Sequence, residues 1–412
     1  MLLNASPLTP PYVDSLSRAD MLAVERVDMP PANTMASDTA AGSRKYELSA
    51  DDRPVLRTLV EMLLTGELRM MDAGSYPEDW FSEPPLFPEM YSVMWQHEYR
   101  RRALREDAAA FFERIGQEGP SPETRLAGEI PDTGRISGKA LNARFLELLD
   151  GSGGLVVGEA HSHPGARKLL MDNMQALEQR GVRRLYLEHV LTDVYGPDLR
   201  ALHESPHQEV SADLVRYLEL QTADQRVPFE SVDPLLARQY SYRTLVEAAQ
   251  RAGIEVVAID CAASYFLRNY SSGRYDRFKM MNYYANLVMR EKEQRASSTD
   301  VPGASGKWIA LVGTGHVNRF AGTPGLAELM GVAGVVVADG TRNRMAPDPG
   351  FETYVPGLDG KQRQQADVLI EVDMSTPRRL PGDLLVTALR YLSCYPARGH
   401  RPGDDDGPYR AS

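Results

Sequence analysis

The chain has 412 residues, 42% hydrophobic and 25% charged, the make-up of a folded water-soluble protein with a core of ordinary size. Its formal net charge of −11 argues against broad nucleic-acid binding, and two distant cysteines, Cys261 and Cys394, rule out a disulfide framework or a cysteine zinc site. No run approaches the roughly 18 consecutive apolar residues that a membrane span needs.

The opening stretch, MLLNASPLTPPYVDSLSRAD, lacks the basic start, apolar core and small-residue cleavage site of a secretory signal. Residues 1–43 are rich in Ser, Pro, Ala and Thr and bury too little apolar surface to offset ordering entropy, which predicts a disordered leader. Such a leader fits a cytosolic protein, and it fits equally a chain exported unfolded through a secretion apparatus. Residues 44–149 then read as a helical N-terminal region. One helix covers 54–64 and stops at Gly66; a second covers 91–115, with Trp95, Tyr99, Leu104, Ala108, Phe111 and Phe112 on one face; a third covers 137–149. The proline-rich loop between the first two carries Trp80, Phe81 and Phe87 and lies close in sequence to Arg100, Arg101, Arg102 and Arg105. Two readings stand: a contact with a membrane surface, or a loop packed on its neighbours beside a solvated arginine face.

From residue 150 to 375 the pattern becomes strand–helix alternation. Apolar runs at 155–159, 184–189, 255–260, 307–313 and 334–338 predict five strands, and 368–372 a late one. Helices are predicted from Pro164 to a stop at Gly181, over 242–252, and around 277–290. This order implies an α/β fold with a mostly parallel sheet flanked by helices. Residues 376–412 are read as a C-terminal extension and solvated tail containing Asp404, Asp405 and Asp406.

In a parallel sheet, ligands bind beyond the carboxyl ends of the strands. Polar residues collect at those ends here: Glu159, His161 and His163 after the first strand, Glu188 and His189 after the second, Asp260 after the third, His316 after the fourth. Four of the chain's eight histidines lie in these segments. Residues two apart in an extended chain share a face, so Glu159, His161 and His163 can converge. Glu188 and His189 should face opposite ways, with Glu188 inward. Gly313 and Gly315 precede His316, and glycines there let a backbone approach a ligand.

Two chemistries fit this set. A divalent metal held by Glu159, His161 and His316 can activate water. Alternatively Glu159, His161, Glu188 and His316 perform acid–base catalysis without metal, supported by His163, His189 and Asp260. Burial at a strand end predicts a raised pKa for Glu159, suiting it as base, with His316 as acid. His163 reads equally as a helix cap, and Asp260 equally as a cap of the next turn. Arg277, Lys279, Tyr283, Tyr284 and Arg290 have two readings, a contact with an acidic or phosphorylated substrate near the same edge, or, favoured, a solvated helix face. His203 and His207 have i, i+4 spacing, but Pro206 breaks the helix a metal pair would need, so both read as loop residues. The sequence contains no phosphate-binding GxxxxGK[ST] and no GxSxG elbow.

The strings VVGEAHSHPGARKLLMDNMQALEQRGVRRLYLEH, VVAIDC and KWIALVGTGHVNRFAGTPGLAEL, spread over residues 151–339, resemble the Tiki/erythromycin esterase/ChaN-like superfamily. The likeness is to its toxin branch, the membrane-targeted effector domains and Ras/Rap-specific endopeptidase-like domains of bacterial toxins. It implies a hydrolase, a secreted effector and a peptidase acting on a protein of a host cell, with a small GTPase among the substrates the resemblance names. The endopeptidase pattern falls on Glu159, His161, Glu188 and His316. Members of the superfamily include metal-dependent and metal-independent hydrolases and haem binders, so no cofactor is required and a divalent metal stays open. A host membrane surface is a second candidate partner, through residues 44–149, although no residue there matches the toxins' membrane-binding bundle. Two rival readings are a non-catalytic effector binding a host protein or ligand, and an esterase of small molecules.

Overall fold

The strand predicted over 155–159 is apolar up to Glu159, and both of its faces are covered. Leu155 and Val157 pack with Leu169, Leu170 and Leu177, whereas Val156 packs with Met281, Ala285 and Met289 on the other side. The same division separates Leu185 and Leu187 from Tyr186, and Ile309 and Leu311 from Ala310 and Val312. Such continuous apolar runs mark a parallel sheet buried between two helical layers.

A computed structural model describes residues 42–65, 88–117, 130–161, 163–205, 209–223, 234–265, 273–298, 305–354 and 360–375. Nearly all of the leader, the aromatics Trp80, Phe81 and Phe87, His207, and the whole C-terminal extension lie outside these residues. Among those described, nine strands form: β1 Gly154–Glu159, β2 Val182–Leu191, β3 Glu255–Asp260, β4 Lys307–Gly313, β5 Ala333–Gly340, β6 Arg344–Pro347, β7 Phe351–Tyr354, β8 Lys361–Gln364 and β9 Val368–Asp373. Seven build one sheet in the order β3-β2-β4-β1-β5-β9-β6, parallel except for β6, which runs antiparallel to β9. β7 and β8 form a separate antiparallel pair. The protein is therefore α/β with a mostly parallel sheet flanked by helices.

One helical layer includes Gly138–Glu147, Gly165–Gln179 and Tyr242–Arg251, and the other includes Gly273–Ser297 and Leu326–Met330. Gly181 and Gly253 follow helices with φ of +86° and +73°, the left-handed conformation that ends a helix and turns the chain into β2 and β3. Helices Gly196–Glu204, Ala212–Ala223 and Pro234–Gln239 fill the span between β2 and the Tyr242–Arg251 helix, where none is predicted from the sequence. His203 belongs to the first of them, not to a loop.

The helices ahead of the sheet share its core. Leu56, Leu59, Val60 and Leu64 of the Arg53–Thr65 helix lie in the same apolar cluster as Leu155 and Leu187. Leu104 and Ala108 of the Pro88–Gln117 helix pack with Met280 and Tyr284 of Gly273–Ser297. The arginine row is partly taken up by the protein itself: Arg101 is buried, Arg100 donates to the Lys45 carbonyl at 3.1 Å, and Arg105 pairs with Asp276 at 2.9 Å. Among the described residues no helix is long and apolar enough to cross a membrane.

Candidate active site

Four adjacent strands, β3, β2, β4 and β1, end side by side, and each delivers a polar group to the same edge. Glu159 closes β1 opposite Gly313 of β4. It is buried, with Oε2 accepting from Arg167 Nη1 at 2.8 Å and Oε1 accepting a short hydrogen bond from the Tyr242 hydroxyl. Burial raises the Glu159 carboxyl, but Arg167, His161 and His189 outweigh it and hold the pKa below the ordinary carboxylate value. This corrects the expectation of a raised Glu159. Desolvation is present, but a fully buried guanidinium overrides it, and both oxygens already accept hydrogen bonds, so Glu159 is a poor general base.

Two imidazoles face this acid. His161 Nδ1 and His189 Nδ1 each stand 3.8 Å from Glu159 Oε1, and His189 Nε2 lies 2.8 Å from His161 Nδ1. His189 is buried and stacks on the Tyr242 ring at 4.4 Å. Its pKa is pushed down to about 3, first by burial and then by His161, so it is neutral. A neutral His189 accepting at Nε2 carries its proton on Nδ1, the atom that has no hydrogen-bond partner among the described residues. His161 differs in both respects. Its side chain is 45% exposed, and although burial of its inner edge lowers the pKa, Glu159 and Glu188 raise it above the ordinary histidine value.

The second acid, Glu188, is arranged around β4. The β2–β4 ladder stops at Leu187 and Leu311, and the Glu188 carboxylate accepts the Gly313 N–H at 2.6 Å. The pairing of β2 with β3 is irregular between Leu187 and Leu191. That irregularity removes the strict alternation predicted for Glu188 and His189, and both enter the cluster. Arg277 Nη2 bridges Glu188 at 3.2 Å and Asp260 at 3.0 Å, and Nη1 donates to the Ser264 carbonyl. Burial raises the Glu188 carboxyl, but His316, His161, His189 and Arg277 hold it far below its usual value.

His316 is buried on a single turn after β4, with Nε2 3.5 Å from Glu188 and Nδ1 2.7 Å from Asn282 Oδ1. Burial pushes its pKa down to about 4 against the pull of Glu188. A neutral imidazole that donates its one proton from Nδ1 to Asn282 Oδ1 has none to give at Nε2, so it is not the acid expected of it. The glycines before it serve packing: a Cβ on Gly313 would lie 2.7 Å from His161, and one on Gly315 2.4 Å from the Phe278 ring. Asp260 caps the next turn through Cys261 N and Ser264 and pairs with Arg277, so it orients that guanidinium and no histidine. His163 does not join Glu159, because β1 ends there and the chain turns, His163 N donating to Ala160 O at 2.7 Å. The first N–H of the helix that follows is taken by Asp339 Oδ1 at 2.8 Å, so the cap expected of His163 comes from another strand.

Only Glu159, His161 and His189 place three ligand atoms within 4.8 Å of one another among the described residues. His189, not His316, therefore completes the metal-competent set. Sequence reasoning missed Arg167, Tyr242 and Asn282 and misplaced Arg277. The legible signal was Arg167, three residues before Leu170 and seven before Met174 on the buried stripe of its helix, where an arginine needs a partner.

No family model and no curated protein matches the sequence. Among solved structures the chain is similar to RRSP, a MARTX toxin effector domain from Vibrio vulnificus CMCP6, at 20% identity over 58% of this chain and 45% of that one, with a TM-score of 0.42. It is also similar to the type III effector HopBA1, at 16% identity over 60% and 98% of the two chains and a TM-score of 0.37. For ChaN of Campylobacter jejuni, described with cofacial heme, the values are 11%, 59% and 98%, and 0.31. The chain thus spans less than half of the Vibrio domain. Toxin effector domains and ChaN, the groups its motifs resemble, are both among these structures.

Proposed function

We propose that this chain is a metal-independent hydrolase of the peptidase type, acting on a protein of a host cell as a secreted effector. The observation that carries the chemical half is His161, a solvent-facing imidazole of raised pKa backed by two buried, ionised carboxylates. A general base works best when its pKa lies near the working pH, and the two acids move His161 in that direction. With Nδ1 turned to His189, Nε2, on the ring edge that lies over Gly313, is the nitrogen that takes a proton from an attacking water and returns it to the leaving amine. Glu159 and His189 orient that ring and stabilise its charged form; Glu188, Arg277 and His316 build the wall against which it sits. The effector half rests on the resemblance of the strand-end motifs to the toxin branch, from which the host substrate and a small GTPase as its class also come. An exposed His161 favours a protein substrate over a small ester, because an extended chain can reach it at the surface.

A divalent metal is the second reading, favoured by the Glu159–His161–His189 set, whose one carboxylate and two imidazoles suit such an ion. Against it, Arg167 already neutralises Glu159 and His161 Nδ1 is taken up by His189 Nε2, whereas His189 Nδ1 has no hydrogen-bond partner among the described residues and stays open to such an ion.

The deciding experiment is production of the wild type and of His161→Ala in eukaryotic cells, with new protein N-termini compared by mass spectrometry. Cleavages present only with the wild type support the peptidase. Identical profiles, with a host protein retained by both forms, would replace it by the binding effector.

A further inference from the structure

Asp339 lies near the end of β5, two residues past the pairing of Val337 with Glu159. Its Oδ1 accepts the backbone N–H of Gly165 at 2.8 Å. Gly165 opens the Gly165–Gln179 helix, and the first N–H groups of a helix have no partner within it. The residue in the usual capping position, Pro164, offers no side-chain cap, so the cap comes from the end of another strand. The approach requires a glycine: a Cβ on Gly165 would lie 2.4 Å from that same Asp339 oxygen. Two residues further along the same turn, Arg167 is fully buried, its Nη1 on Glu159 and its Nε on the Tyr240 carbonyl at 2.7 Å.

We propose that Asp339 is a positioning residue, which fixes the first turn of this helix and thereby the Arg167 guanidinium that orients Glu159. The proposal rests on the hydrolytic reading above. A frayed first turn would displace the Arg167 backbone, and shifts of about 1 Å far from the reacting atoms are enough to slow catalysis severely. The contact needs an acceptor oxygen at Oδ1, which the amide of an asparagine also supplies. Oδ2 makes no hydrogen bond among the described residues, so an asparagine exchanges it without breaking one.

The test compares Asp339→Ala, Asp339→Asn, Gly165→Ala and the Asp339→Ala/Gly165→Ala double variant in the full chain. Two quantities are read: kcat and KM on a quenched peptide that the wild type cleaves, and amide hydrogen exchange over residues 163–170. Each single alanine variant should lower kcat about 10-fold while KM stays within about 2-fold. The double variant should be no worse than either, since both remove one contact. Asp339→Asn should keep near-wild-type turnover, and first-turn exchange should quicken only in the alanine variants. An asparagine variant as impaired as the alanine one, additive losses, or faster exchange at unchanged kcat would each overturn the proposal. A wild type that hydrolyses no peptide would instead remove the hydrolytic reading and the positioning role with it, leaving exchange to decide whether the cap itself is real.

Discussion

Glu159 and Glu188 stand on either side of β4, and each is buried against an arginine carried by a helix, Arg167 for one and Arg277 for the other. The groups opposite them differ. Glu159 faces two imidazoles, one of which reaches solvent, and its remaining oxygen is held by a tyrosine. Glu188 faces a buried histidine locked by Asn282 and takes a backbone N–H from the strand between the two acids. A like pair of buried acid–arginine contacts therefore gives one half with a proton route to solvent and one half that is frame. Charge alone does not distinguish them; access does.

The comparison is broken most strongly through the arginines. Arg167→Met leaves Glu159 buried with no cation, which should destabilise the fold by about 3–5 kcal/mol. Arg277→Met takes the cation from two buried carboxylates, Glu188 and Asp260, but should cost less, because its side chain is 22% exposed, Glu188 keeps the Gly313 N–H, and Asp260 keeps the Cys261 N–H and the Ser264 hydroxyl. Urea midpoints of the two variants check this, and equal losses would mean the halves are equivalent in stability.

Turnover should separate the halves next. His161→Ala should lower kcat by roughly 100-fold or more, as loss of an acid–base group does, and Glu159→Gln by about 10-fold, because Glu159 orients and charges that ring without itself transferring the proton. His161→Ala should leave the denaturation midpoint almost unchanged, since that side chain is half exposed. His316→Asn should reduce kcat by about 10-fold through lost order alone. A His316→Asn variant as inactive as His161→Ala would move the proton-transfer role to the Glu188 half.

The pH dependence sharpens the contrast at smaller scale. His316 titrates at about 4 in the fold and His189 at about 3, against 6.5 for a free imidazole. Between those values the native state binds fewer protons than the unfolded chain. The stability these histidines contribute is present above pH 6.5 and is lost as pH falls, by about 1.4 kcal/mol per unit for each. His161, raised above 6.5, acts oppositely: its contribution is present below 6.5 and lost as pH rises through its folded pKa. Urea unfolding of wild type and His316→Gln at pH 7, 5.5 and 4.5 should show the wild type losing ground to the variant with acidification. A gap that widens in its favour would reverse the assignment of His316 as neutral.

The smallest expected effect is on metal. Dialysis against a chelator should leave kcat unchanged, whereas loss of activity restored by one equivalent of a divalent ion would assign the Glu159–His161–His189 set to metal chemistry.

Period and composition determined the layers: unbroken apolar runs between amphipathic helices admit little besides a parallel sheet buried on both faces, and β3 and β4 are read with their observed ends. Those patterns also placed Glu159 and His316 at strand ends, because a parallel strand must become polar where it leaves the core. Glu188, read as a strand end, lies inside β2, which runs on through the buried Val190 to Leu191. Partners across the sheet were not legible in the same way. Arg167, Tyr242, Arg277 and Asn282 reach the cluster from helices 8 to 89 residues away from the groups they hold. Nothing local in the sequence records which carboxylate a helical arginine will meet. The irregularity in β2, which brings both Glu188 and His189 inward, was equally hidden, since it arises from pairing with β3 and not from β2 itself. Tertiary structure alone therefore decided the protonation of the site. A pKa follows from the sum of burial and neighbouring charge, and here that sum made a carboxylate of Glu159, a neutral ring of His316, and His161 the group left to exchange a proton with solvent.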